Sequence, residues 1–276
     1  MAKISDSDRH IYYEKVKPYV SMTKALLKTE KDLLQETKKN LTDAPLRKLT
    51  LVDEMLNLAS NYLAVNGVSH AVLKVKNEEA LNDARKSLYK AVIYFEEVVS
   101  NAIDAPFSDY EDKLAEIESF DQNQRYSLVR KIGFAIDLLE QAYGDNSKWR
   151  WTFVELEGRF AATAKNILNL RNVYVNMSPQ SQYYDSTVYH LRLTKKLLTQ
   201  AADRYREKYE LNTGAMHDFK TGIAFLSALR RIHIILSEAE DAESVKKKLT
   251  IWKTKLDADI KKQEIEKKEI AARGLS

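Results

Sequence analysis

Cysteine is absent from this 276-residue chain, and proline and glycine are scarce, at four and seven residues. Without cysteine there is no disulfide, no thiolate zinc site and no cysteine nucleophile. With so few turn-formers the chain has too little punctuation for a set of strands, so long helices joined by short turns are expected. A long apolar run is missing too. The most apolar stretch, Gly222 to Leu236, is broken by Arg230-Arg231 and is too short to span a bilayer. The opening residues, Met1 to Asp6, lead into charged sequence without an apolar core, so no secretory signal is expected and a cytoplasmic protein is.

What is present is 44% hydrophobic and 30% charged residues, the balance of a folded soluble or coiled-coil protein. The net charge of +4 hides a segregation. Residues 1–50 carry a net +4, residues 51–143 a net −7, residues 144–240 a net +4 and residues 241–276 a net +3. Segments of opposite sign help helices choose neighbours, or help copies of a protein meet. The overall balance is too mild for a dedicated nucleic-acid binder.

The strongest periodicity lies between Gln124 and Met177. Tyr126, Val129, Ile132, Ile136, Leu139 and Tyr143 recur at steps of three and four, which is one stripe of a helix. After Gly144-Asp145-Asn146-Ser147 the rhythm restarts at Trp149 and runs through Phe153, Leu156 and Phe160 to Ile167, Leu170, Tyr174 and Met177. Two such stripes across four turn-forming residues predict an antiparallel αα-hairpin, with Gly144 in the left-handed closing position and Ser147 as the next cap.

Other helices are expected on each side. One spans about Ser5 to Leu41, kinked or interrupted at Pro18. Another begins with Asp43 or Thr42 as cap and Pro45 in its first turn, and ends near Asn66-Gly67. Residues 68–76 fit either a short helix or a connector. Asn77 caps a further helix, with Glu78 and Glu79 favouring its dipole. A short acidic helix, Asp109 to Phe120, precedes the hairpin. Ser178-Pro179 starts the next long helix, and Asn212-Thr213-Gly214 breaks it. The segment Ala215 to Glu238 is apolar most of the way round and so should be surrounded by other helices. The last helix, from Glu243 to about Ala272, keeps the stripe Val245, Leu249, Trp252, Leu256 and then loses it, so its end should project or fray. Glu243–Lys247, Asp257–Lys261 and Glu264–Lys268 lie at the favourable four-residue spacing.

Common helical metal sites are not spelled out: no Glu-x-x-His, no His-Glu-x-x-His and no glycine-rich phosphate loop occurs. One constellation stands apart. His190, followed 27 residues later by His217-Asp218 at the start of the most apolar helix, resembles the metal-binding core of HD-domain phosphohydrolases. The resemblance covers about thirty residues. It implies a metal held by His190, His217 and Asp218, with Asp257 and Asp259 as candidates for the distal aspartate; Phe219-Lys220-Thr221-Gly222 departs from the glycine-lysine that usually follows. The plainer reading is that Asp218 serves a helix first turn and His217 lies at the surface. No cofactor is implied.

Trp151 points about 200° away from the Trp149 stripe, towards a third helix or an exposed interface. Lys261, Lys262, Lys267 and Lys268 give the final helix the look of a nucleic-acid arm or a membrane-surface helix, but interleaved acids oppose both. Asp109, Glu111, Asp112, Glu116, Glu118 and Asp121 crowd one short segment and suit a basic partner or a second copy.

The expected fold is all-α: an elongated bundle of about eight long antiparallel helices, divided into bundles at 1–177 and 178–276 or continuous across that seam. The expected function is a non-enzymatic cytoplasmic adaptor, scaffold or assembly subunit that binds a protein partner or itself. A metal-dependent phosphohydrolase and a nucleic-acid binder are the alternatives. Membrane insertion is not expected.

Overall fold

The computed structural model describes residues 4–144 and 148–273, with the side chains of Lys267 and of residues 270–273 outside the description. The described residues form ten α-helices and no strand, and eight of the helices are long. They are α1 (Asp6–Lys39), α2 (Ala44–Leu73), α3 (Glu78–Val98), α4 (Glu111–Ala115), α5 (Gln122–Tyr143), α6 (Arg150–Asn166), α7 (Val173–Asn176), α8 (Tyr184–Lys208), α9 (Met216–Ile235) and α10 (Ala239–Arg273). The all-α expectation holds. No helix among the described residues is long and apolar enough to cross a membrane. Two compact units make up the fold: Met1–Asn101 with Phe107–His190, and Ala102–Pro106 with Leu191–Ser276. The division falls inside α8, twelve residues beyond the seam expected at Ser178-Pro179.

In the first unit α2 lies against both α1 and α3. Its apolar residues wrap around it: Leu51, Val52, Met55, Leu58 and Ala59 are all buried. Pro18 leaves α1 unbroken, and Ser5 caps it by accepting from the Asp8 amide. The end expected at Asn66-Gly67 does not occur, because both residues are helical and Asn66 is used elsewhere. Its side-chain oxygen accepts from the Asn77 amide at 2.8 Å, and Ser69 donates to the Val75 carbonyl at 3.0 Å. α2 therefore runs on to Leu73 and closes with Lys74 in the left-handed conformation, φ 57°. Asn77 caps α3 as expected, accepting from the Ala80 amide. Asp43 occupies the cap position of α2 without a side-chain cap bond.

The hairpin of α5 and α6 forms, and it is antiparallel: Gly133 faces the Phe160 ring while Tyr143 meets Trp149 and Phe153. Both helices also lie against α3, where Arg159 grips Glu96 with two hydrogen bonds of 2.8 and 2.6 Å. Gly144 does have positive φ, at 80°, but its ψ of 161° is not left-handed helical. The cap expected at Ser147 lies outside the described residues, and Trp149 stands at the N-cap of α6. The second stripe stops being helical at Asn166. Ile167 and Leu170 remain buried in the turn that follows, whereas Tyr174 and Met177 face outward.

In the second unit α9 is the apolar centre, with Phe219, Phe225, Leu226 and Ile232 buried. α10 packs along it through Leu249, Trp252 and Leu256. α8 passes into a π-helical turn, Tyr209–Thr213, which Gly214 closes at φ 56° by donating to the Tyr209 carbonyl. The Tyr209 and Phe219 rings stack at 5.0 Å, and Trp252 lies 5.6 Å from Phe219. Between α9 and α10, Ser237 adopts φ 58°, while Glu238 and Ser237 donate to the His233 and Ile234 carbonyls. That pattern closes a helix with glycine more often than with serine. α10 stays helical to Arg273 instead of fraying, although no described residue past Leu256 is buried. Its ion pairs also differ from those expected: Glu243 meets Lys246, Lys255 meets Asp259 and Lys262 meets Glu266.

Candidate functional site

The acidic segment is not one helix from Asp109 to Phe120. A 3₁₀ turn over Phe107–Asp109 leads into the five-residue α4, and turns follow to Phe120. Its order comes from below: Tyr110, Leu114 and Ile117 are buried. That spacing of three and four leaves Asp109, Asp112, Glu116 and Glu118 exposed on the other side. Two of the acids serve the fold instead. Glu111 pairs with Arg171, and Asp121 caps α5 in a reciprocal box with Gln124.

Beneath the segment lies Arg125, which sequence periodicity did not single out. It is buried, and its guanidinium donates to three backbone carbonyls: Phe120 at 2.7 Å, Ile117 at 3.1 Å and Ile167 at 3.3 Å. The Phe120 and Ile167 carbonyls end the acidic turn and α6, beyond the helical amides that would bond them, while the Ile117 carbonyl also accepts from the Phe120 amide at 3.0 Å. Burial lowers the Arg125 pKa from its ordinary value, and the carboxylates of Asp121 and Glu118 oppose that shift.

The three residues of the phosphohydrolase resemblance are occupied in different ways. His190 is fully buried in the first unit. Its Nε2 lies 2.9 Å from the Ala164 carbonyl, which can only accept, so Nε2 carries the proton. Nδ1 then accepts from Gln122 Nε2 at 3.1 Å. Burial pushes the His190 pKa down to about 4, with the bond to Ala164 opposing and the Arg125 charge assisting. Both ring nitrogens are thus used by the protein. In the second unit Asp218 is buried and accepts from Lys208 at 2.9 Å and Thr213 at 2.7 Å, which ties the π turn to the start of α9. His217, beside it, is exposed, as the plainer reading has it. Of the two candidates for the distal aspartate, Asp257 is exposed and Asp259 accepts from Tyr209.

Trp151 is partly buried, with the Arg150 guanidinium 4.9 Å from its ring centre. Trp149 instead takes Arg85 of α3 over its face at 4.3 Å. Lys261, Lys262 and Lys268 are exposed on α10, and the Lys267 side chain lies outside the described residues.

A cluster at the end of α9 is brought together only by the fold. His233, Glu238 and Asp241 bring one ligand atom each within 4.8 Å of one another. Glu238 is already engaged: Lys195 donates to both of its oxygens at 2.7 and 2.9 Å, and His233 Nδ1 lies at 2.6 Å. Partial burial pulls the Glu238 pKa upward, but the bonds from Lys195 and His233 hold it below the ordinary value. The arrangement pins α8 to the turn after α9. Its sequence signal, a histidine five residues before a glutamate across a helix end, is too common to have found it.

These features define an all-α protein with a charged, displayed segment, in which the buried Arg125, His190 and Asp218 are bonded by the protein itself. The chain belongs to the TP0443 family, whose sequence profile matches residues 8–260. No curated protein and no solved structure matches it.

Proposed function

We propose that this chain is a non-enzymatic cytoplasmic interaction protein, an adaptor, scaffold or assembly subunit, that engages a basic partner or a second copy through its acidic segment. The observation that carries the reading is the anchoring of that segment. Tyr110, Leu114 and Ile117 are buried while Asp109, Asp112, Glu116 and Glu118 face outward, so the charges are held in a fixed array. A single exposed ion pair contributes only about 0–1 kcal/mol. Several fixed charges of one sign steer and align a contact that would otherwise be weak. The exposed Lys261, Lys262 and Lys268 offer a second copy the opposite charge.

The test is light scattering and binding to a basic protein at about 50 and 500 mM salt, since the screening length shrinks severalfold across that range. Association that weakens with salt and is lost in Asp112→Lys/Glu116→Lys/Glu118→Lys supports the reading. A monomer indifferent to salt, to basic proteins and to these substitutions overturns it.

A further inference from the structure

α1 carries a seven-residue repeat that its own core does not use. Tyr13, Val20, Leu27 and Leu34 are spaced by seven, and Tyr13, Val20 and Leu27 are 63%, 47% and 42% exposed, with Leu34 partly buried. Four residues after each comes a lysine: Lys17, Lys24, Lys31 and Lys38, all exposed. In a heptad these are the seam position and the charged position that flanks it. Among the described residues Lys17 pairs with Glu14, and Lys24, Lys31 and Lys38 have no ion-pair partner.

The adjacent faces of α1 are committed to the bundle. Asn61 of α2 donates to the Tyr19 carbonyl at 2.8 Å and to Thr23 at 2.7 Å. Lys90 and Tyr94 of α3 hold the buried carboxylate of Glu30. α1 is therefore fixed in place with an apolar edge and a row of cations turned outward. The exposed Ile11 and Met22 share no seven-residue spacing with this edge or with each other.

We propose that this edge of α1 is a docking seam for an amphipathic helix of another protein, one whose own apolar seam is flanked by acidic residues. Three observations select that occupant. Positions 13 to 34 span about 30 Å at 1.5 Å per residue, and only a partner with the same repeat stays in register over that length. The lysine row calls for carboxylates opposite it. A second α1 in antiparallel pairing would set lysine against lysine, which is destabilising. An anionic membrane is less suited, since interfacial binding uses a broad apolar face and this seam is one residue wide. The seam is distinct from the acidic segment, so substitutions in α1 test it separately.

The probe is a synthetic four-heptad peptide with leucine at its seam positions and glutamate beside them, used where the peptide alone is monomeric. The expected result is binding to the full chain that falls with salt. The same peptide with lysine for glutamate should bind about tenfold more weakly or worse, a difference of about 1.4 kcal/mol. Lys17→Glu/Lys24→Glu/Lys31→Glu should reverse that preference, and Val20→Ser/Leu27→Ser should weaken both peptides without loss of helix. These five side chains are exposed, and of them only Lys17 has an ion-pair partner, the exposed Glu14, so the variants fold. Equal binding of the two peptides, or none, overturns the proposal. So does tighter binding to phosphatidylserine–phosphatidylcholine vesicles than to the glutamate peptide, which makes the seam a membrane contact. Concentration-dependent self-association abolished by Val20→Ser/Leu27→Ser overturns it in favour of a second copy.

Discussion

Gly222 of α9 faces the backbone carbonyl of Ala202 on α8 so closely that a Cβ there would stand 3.0 Å from the oxygen and 3.4 Å from the Trp252 ring. A carbonyl in a helix cannot swing aside as a flexible side chain can. Gly222→Ala is expected to destabilise by about 1–3 kcal/mol through overpacking, more than the ~1 kcal/mol that alanine gains in helix propensity. Gly67, inside α2 with nothing within 4 Å of its Cβ position, is the control. Gly67→Ala should stabilise by about 0.5–1 kcal/mol. Urea denaturation of both variants checks the pair, and equal signs would contradict the close crossing.

Phe160 fills the space opposite Gly133, whose Cβ position lies 3.4 Å from its ring. It is among the largest fully buried side chains in the protein. Phe160→Ala should cost about 3–5 kcal/mol, from lost transfer energy and the cavity left behind. Lys261→Ala on the exposed part of α10 should change stability by no more than about 0.5 kcal/mol. Thermal unfolding compares the two, and similar midpoints would remove α5 and α6 from the core.

His190 gives stability a defined pH dependence. Its pKa in the folded protein is about 4, against an ordinary value of 6.5. The unfolded chain therefore binds the extra proton first as pH falls. The contribution is complete above about 6.5, declines between there and about 4, and amounts to about 3 kcal/mol by 1.36 kcal/mol per pH unit. Unfolding free energies of wild type and His190→Gln between pH 7 and 4 provide the check. The variant should be less stable at pH 7 and show a shallower slope.

Arg125 supplies donors to three carbonyls, of which Ile117 also accepts from the Phe120 amide. Arg125→Ala should cost about 2–4 kcal/mol, because the Phe120 and Ile167 carbonyls are left unpaired. Arg125→Lys should recover only part of this, since an ammonium lacks the planar fork. Hydrogen exchange should show the loss around Ile117–Phe120 first. Unchanged protection there would mean that the carbonyls find other partners.

Helix content, the cap at Asn77 and the buried stripes of α5 and α9 are all legible in the sequence, because they depend on neighbours within a turn or two. The end of α2 is not legible, for the opposite reason. An asparagine near a glycine is a local stop signal, but a tertiary bond to the Asn77 amide makes that asparagine part of the helix. α6 is shorter than its stripe because Ile167 and Leu170 keep the helical spacing while packing from a turn.

Local patterning by itself determined the all-α class, the apolar centre at α9 and the display of acids around α4. Only the tertiary structure decided what the buried polar groups do. His190, 27 residues ahead of the His217-Asp218 pair, is a ligand candidate in sequence; in the fold its two nitrogens bond Gln122 and Ala164, residues 68 and 26 positions away. The same holds for α1. Its seven-residue repeat is written in the sequence, but whether such a stripe is core or surface depends on which side of the helix the rest of the chain covers. Periodicity fixes the angle between side chains along one helix, and burial is set by partners that lie far off in sequence.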